Sequence, residues 1–289
     1  MKPLAGKVAV VAGATRGAGR AIAIALGEAG ATVYATGRSV RGAPSDLARP
    51  ETIEETAELI TARGGQGIPV RVDHTEPEQV KALFERIGGE QGGRLDIIVN
   101  DVWGGEKLTE WGTLYWEGSL DKALLMQRRA VHSHMITSYY GAPLLVQRGE
   151  GLIVEVTDGY DYRYRGNLPY SLAKVSVIHL AEAQAAELRP HGVAAVAVTP
   201  GFLRSEEMLD YFGVTEANWR DGAQKEPHFL QSETPFFLAR GLAALAAEPD
   251  LLSKSGKAYT SWGLSDDYGI EDVDGRRPHW GNYAAEQGL

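Results

Sequence analysis

The chain has 289 residues, 44% of them hydrophobic and 23% charged, with a formal net charge of −9. That is the composition of a globular protein with one large core or two small ones, and the acidic balance argues against nucleic acid or anionic membrane as main partner, since both are bound through basic faces. No cysteine is present, which excludes disulfides, thiol catalysis and zinc–thiolate sites. Residues 7–13 form a short apolar run ending in glycine, the pattern of a buried parallel strand. Residues 20–30 are alanine-rich, with Ile22, Ile24 and Leu26, and end at Gly30, which predicts a helix. A second strand is expected over 31–36, a helix over 50–63 with acidic residues early, and a third strand over 67–72. The helix expected over 77–87 carries Val80, Leu83, Phe84 and Ile87 on one face. Then come a fourth strand at 95–100, a mostly helical stretch at 120–146 and a fifth strand at 151–157. A long helix at 170–189, a sixth strand at 193–199 and a short seventh at 257–260 complete the pattern.

Strands alternating with helices predict βαβ units, hence a single-domain α/β fold: a doubly wound parallel sheet with helices on both faces. No linker or repeat divides the chain. One domain is expected over residues 1–262, with a polar, glycine-rich tail at 263–289 packed on the domain or on a partner subunit. Residues 1–7 lack the apolar stretch of a signal peptide, and no apolar run approaches the ~20 residues of a membrane span, so no membrane partner and a cytoplasmic location are expected. Three segments break the rhythm, at 39–49, 103–119 and 202–235. All follow the carboxyl ends of strands, where such sheets bind ligands.

The end of the first strand carries Gly13-Ala14-Thr15-Arg16-Gly17-Ala18-Gly19 between a strand and a helix. Glycine permits both the tight turn and close backbone approach to a pyrophosphate, and the helix amino terminus presents free N–H groups to the anion. The spacing is Gly-x3-Gly-x-Gly, and the bland alternative is a ligand-free strand–helix turn. At the end of the second strand no carboxylate is placed to grip a ribose 2′-hydroxyl. Arg38 stands there instead, and with Arg16 it can clamp a 2′-phosphate, which favours NADP(H) over NAD(H).

Tyr170 and Lys174 lie four apart near the start of one helix and so share a face. Two unit charges ~4 Å apart at an effective dielectric of ~20 interact by about 4 kcal/mol, enough to draw a phenol towards neutrality. A phenol so tuned exchanges a proton with a carbonyl oxygen or an alcohol. The bland reading is a buried tyrosine beside a solvated lysine. The seven histidines show no metal-ligand spacing, no nucleophile-elbow motif is present, and no metal is expected.

Together these motifs resemble the short-chain dehydrogenase/reductase family over nearly the whole chain, from residue 7 to about residue 259. The tail 268–276 is similar to the branch called dehydrogenase/reductase member one. The resemblance implies a Rossmann-like fold and hydride transfer between a nicotinamide and a small carbonyl or alcohol substrate. It makes Tyr170 the general acid/base and Lys174 the group that binds the nicotinamide ribose and lowers the tyrosine pKa. Gly13, Thr15, Arg16, Gly17, Ala18, Gly19, Arg38, Asn100 and Val102 join the cofactor site. It sets Asp73 and His74 by the adenine, and Pro200, Gly201 and Phe202 beside the carboxamide. It also implies a homodimer or homotetramer, built on the helices at 120–146 and 170–189.

The chain departs from the family pattern where Asn-Asn-Ala-Gly becomes Asn100-Asp101-Val102-Trp103, and where Ala130 replaces a helix asparagine. The serine expected about 13 residues before the tyrosine is replaced by Thr157, with Asp158 next. Thr157 offers a hydroxyl to orient a carbonyl. Asp158, as an anion, repels a developing alkoxide and suits a cationic or hydroxyl-bearing substrate. Both registers stand at this level. Trp103 and Tyr160 are expected to line the substrate pocket, and Trp103, Trp111, Tyr115 and Trp116 form either a lid or a satellite core. The departures leave a second class of function open, a cofactor-binding regulatory or scaffold protein on the same fold.

Overall fold

The structure is a computed structural model, described for residues 2–45 and 48–289. Part of the loop expected at 39–49, namely Asp46 and Leu47, lies outside the described residues, as does Met1. In chain order the elements are β1 (Val8–Ala12), α1 (Gly17–Glu28), β2 (Thr32–Gly37), α2 (Ile53–Ala62), β3 (Gln66–Arg71), α3 (Pro77–Glu90) and β4 (Ile97–Asn100). Next come α4 (Leu120–Gln127), α5 (Ser133–Arg148), β5 (Gly151–Val156), α6 (Leu168–Leu188), β6 (Val193–Thr199) and α7 (Glu206–Phe212). The chain closes with α8 (Pro235–Ala246), α9 (Leu251–Lys254), β7 (Ala258–Thr260), α10 (Ser261–Tyr268) and α11 (Trp280–Gln287).

The seven strands make one parallel sheet in the order β3-β2-β1-β4-β5-β6-β7. The order reverses between β1 and β4, so the two crossovers leave in opposite directions and open a crevice at the carboxyl edge. Register aligns Ala12 with Thr36 on one side and with Asn100 on the other, and Asn100 with Glu155. Strand ends therefore stand level along that crevice.

Side-chain alternation splits the core in two. Ala9 and Val11 of β1 face Ile22 and Leu26 of α1 and Leu242 of α8. Val8 and Val10 face Phe84 of α3 and Leu145 of α5. Each such aliphatic side chain, fully buried, contributes roughly 1.5–3 kcal/mol of transfer free energy. Among the described residues no helix is long and apolar enough to cross a membrane.

Boundaries shift where local capping decides them. Helix α1 starts at Gly17, three residues earlier than its apolar pattern, because the glycine turn itself opens the helix. Helix α2 starts at Ile53, where the Thr52 hydroxyl accepts from the Glu55 N–H at 3.2 Å. Helix α6 starts at Leu168, capped by Asn167, whose side chain accepts from the Tyr170 N–H at 3.1 Å. The stretch expected as one helix at 120–146 is α4 and α5 joined by a π-helical turn, Arg128–His132. Helix α8 has no counterpart in the sequence reading, although it covers α1. The carboxyl-terminal segment is ordered into α10 and α11, and residue 263 falls inside α10. Trp262 and Leu264 of α10 are buried, and the Asp272 carboxylate accepts from the Thr234 N–H at 2.8 Å.

Candidate active site

A cleft of about 750 Å³ runs along the carboxyl edge of the sheet. Its floor is the glycine turn. Gly13 has φ +88° and a Cβ there would lie 2.4 Å from the Asp101 carbonyl oxygen, so only glycine fits. A Cβ on Gly19 would lie 2.4 Å from the Gly13 oxygen and 2.7 Å from the Asp101 carboxylate. Gly13, Thr15, Arg16, Gly17 and Ala18 line the cleft, while Gly19 sits beneath it, packed on Asp101.

The amino terminus of α1 already holds an anion. The Gly17 N–H donates to the Glu206 carboxylate at 2.8 Å. Glu206 opens α7, which folds over the turn from the connection after β6. A helix-start N–H held by a carboxylate where a phosphate oxygen would bond, beside glycines that admit no Cβ, fits a dinucleotide pyrophosphate. Arg16 pairs with Glu106 at 2.7 Å, so in this state its guanidinium is engaged within the protein. Arg38 lines the cleft at the end of β2, beside Asp73. Burial pushes the Asp73 carboxyl up, but hydrogen bonds from Thr75 and the nearby Arg38 charge hold it below the usual range. His74 also borders the cleft, but its ring turns inward between the Thr36 and Thr137 hydroxyls, each at 2.8 Å. Burial pushes this imidazole down to about 3, so it is neutral.

Two expectations need correction here. Asn100, expected at the cofactor, is fully buried and does not line the cleft. Its amide donates to Glu155 and Ser138, both at 2.9 Å, because β5 brings an acidic residue alongside. Glu155 in turn meets the His134 imidazole at 2.7 Å. Tyr160, expected in the substrate pocket, lies outside the cleft, its ring 6.1 Å from that of Trp262. Val102, Trp103, Pro200, Gly201 and Phe202 do line the cleft.

The reacting end is set by β5 and α6. Thr157 and Asp158 follow the end of β5, with Asp158 at a bend, and their side chains meet different partners. The Thr157 hydroxyl is buried and donates to the Lys174 carbonyl oxygen at 2.7 Å, tying the strand to the helix. It is therefore not aimed at a substrate oxygen, contrary to the expectation for it. Asp158 is the residue that faces Tyr170, accepting the phenol proton at 2.7 Å. The tyrosine pKa accordingly moves against expectation. Burial raises it well above its ordinary value of 10, and the Asp158 charge and hydrogen bond raise it further. Lys174 has its ammonium 4.0 Å from the Trp103 ring centre, a cation–π contact. Burial lowers its pKa, while Asp158, Asp101 and Glu106 oppose that shift. Trp103 also meets Tyr170 edge-on at 5.4 Å, and Trp111 packs on that ring at a tilt, at 5.1 Å. The aromatic loop is thus a wall of the reacting end, although Trp111 remains 61% exposed.

Sequence reasoning missed three acids. Asp101 is half-buried under the glycine turn, where desolvation pushes it up to about 7. Its replacement of a family asparagine was visible, but its desolvation was not. Glu206 carried only the signal of a first-turn helix acid. Glu233 is buried, accepts from the Gly201 N–H at 3.0 Å and the Ser261 hydroxyl at 2.6 Å, and braces the Pro200-Gly201 turn from below.

This fold, crevice and tyrosine–lysine pair define a nicotinamide-dependent oxidoreductase, and comparison with known proteins agrees. The family model for short chain dehydrogenases matches residues 7–212. Dehydrogenase/reductase SDR family member 1 of Mus musculus is 37% identical over 278 residues, covering 95% of this chain and 85% of that protein. An NADPH-dependent aldehyde reductase-like protein of Arabidopsis thaliana is 29% identical, covering 72% of this chain and 76% of that one. A short chain dehydrogenase of Mycobacterium thermoresistibile has a crystal structure that superposes with a TM-score of 0.79 at 24% identity, covering 96% and 92% of the two chains. The chain belongs to the short-chain dehydrogenase/reductase family and is similar, within it, to the member 1 branch.

Proposed function

We propose that this protein transfers hydride between NADP(H) and a carbonyl or alcohol substrate, with Tyr170 as the proton carrier. The observation that carries this is the placing of Tyr170, Lys174 and the glycine turn in one cleft at the topological switch point. A bound reduced nicotinamide supplies the hydride. The N–H groups of the turn and the amino terminus of α1 hold the pyrophosphate once Glu206 withdraws. The end of β2 carries Arg38 rather than an acidic residue, which favours a 2′-phosphate, and the NADPH dependence in the name of the Arabidopsis relative agrees. Gly201, braced by Glu233, fixes the turn beside the reacting ring. Tyr170 keeps its proton until a carbonyl oxygen takes it, and Lys174 supplies positive charge beside the developing alkoxide.

Replacing Tyr170 with phenylalanine should abolish ketone reduction and leave the NADPH dissociation constant within about threefold. Retained turnover would exclude Tyr170 as proton carrier. Arg38→Ala should weaken NADPH and spare NADH, read by fluorescence titration. We also propose a homodimer or homotetramer on α5 and α6, where Met135, Tyr139 and Leu172 are exposed. A purely monomeric mass by light scattering would rule that out.

A further inference from the structure

The carboxylate of Asp158 stands within hydrogen-bond reach of the phenol that meets the substrate, at 2.7 Å. Among the described residues it forms no ion pair within 4.0 Å. The Lys174 ammonium sits over the Trp103 ring, within range of the Asp158 charge but not paired with it. A second carboxylate, Glu226, lines the same cleft from the connection after β6, and Trp103 and Trp280 provide aromatic walls. A carboxylate with no ion-pair partner within 4.0 Å, flanked by aromatic faces in a cleft whose acids Asp101, Glu106 and Glu226 offset the Lys174 charge, attracts a cationic group and opposes an oxyanion.

We propose that the cleft also reduces cationic carbon–nitrogen double bonds, with Asp158 holding the iminium nitrogen where a ketone oxygen would otherwise lie. This rests on the hydride-transfer reading above. In the step, hydride from a reduced nicotinamide dinucleotide forms the new C–H bond at the iminium carbon. The C=N π pair becomes the lone pair of the amine nitrogen, and the nicotinamide is oxidised. No proton is required, so the phenol need not ionise beside Asp158. The substrate's charge falls from +1 to zero, and Asp158 favours the bound reactant and promotes release of the deprotonated product.

The experiment compares N-methyl-dihydroisoquinolinium with tetralone, a ketone on the same bicyclic frame, at saturating NADPH and with the uncatalysed rate subtracted. The iminium kcat/KM should exceed that of the ketone by at least about tenfold. Asp158→Ser should lower iminium reduction by at least about tenfold and raise ketone reduction. Tyr170→Phe should retain iminium reduction within about threefold while losing ketone reduction. A readout without cofactor is calorimetric binding of the N-methyl-tetrahydroisoquinolinium cation against neutral isochroman. The cation should bind more tightly, and Asp158→Ser should remove the difference. Tyr170-dependent ketone turnover with no iminium preference and no effect of Asp158→Ser would overturn the inference and leave the carbonyl reading intact. No turnover of either compound by any form would overturn both.

Discussion

Exchanging Asp158 for asparagine should move the ionisation of Tyr170 downward, and the contact is short enough to make the shift large. The phenol donates to the carboxylate at 2.7 Å in a site where burial already disfavours phenolate. A unit charge ~4 Å from the phenolate oxygen, at an effective dielectric of ~20, costs about 4 kcal/mol. The cleft is open to water, so roughly a third to two thirds of that energy is the expected effect, and the shift is downward. An asparagine amide also donates to phenolate, which acts in the same direction. In alcohol oxidation Tyr170 must act as a base, so activity rises with pH as its proton leaves. Lowering its pKa shifts that rise to lower pH and increases the rate below it by about ten- to a hundredfold. The assay is initial-rate NADP+ reduction by a secondary alcohol across the alkaline range, with phenolate absorbance titrated in parallel and Tyr170→Phe subtracted. A rise that stays in place, or moves to higher pH, would refute the assignment of Asp158 as the group that raises Tyr170.

Glu206→Gln should tighten NADPH binding by about three- to tenfold, because a charged competitor leaves the Gly17 N–H, and fluorescence titration would show it. Unchanged affinity would mean that Glu206 leaves this position at negligible cost. Glu233 is pushed up to about 8 by burial, with Asp272 adding to the shift and hydrogen bonds from Ser261 and Gly201, together with Arg204, opposing it. The folded state therefore binds a proton that the unfolded state releases near its ordinary value of 4.5. Stability is complete below that value and declines as pH rises towards about 8, by an amount on the order of 4 kcal/mol. Glu233→Gln should flatten the dependence of urea midpoint on pH in that window, and an identical slope in both proteins would contradict it.

The sheet was legible because burial on both faces forces near-continuous apolar runs, and runs such as residues 193–199 survive any change of neighbours. The glycine turn was legible for a related reason: positions such as Gly13 tolerate no other residue. Helix α8 was harder to find, since it follows a long irregular connection and its mean composition differs little from that of a buried strand. That Tyr170 and Lys174 share a helix face followed from four-residue spacing, and their role from the glycine turn upstream and the family resemblance. The sign of the tyrosine shift did not, because it depends on which of two consecutive residues turns towards the ring. The chain leaves β5 just before Thr157 and Asp158, and sequence spacing left a one-residue uncertainty between them. Only the hydrogen bond from Thr157 to the α6 backbone decides it.

Residues 206 and 17 are similarly silent about each other in sequence, 189 positions apart. What the chain alone determined is therefore the set of groups available at the carboxyl edge of the sheet. Local periodicity and steric exclusion encode that set one segment at a time. The charges those groups carry, and which of them meet, were decided by packing between segments distant in sequence. Ionisation and hydrogen bonding respond to neighbours in space over a few ångströms, and the order of residues specifies those neighbours only through the completed fold.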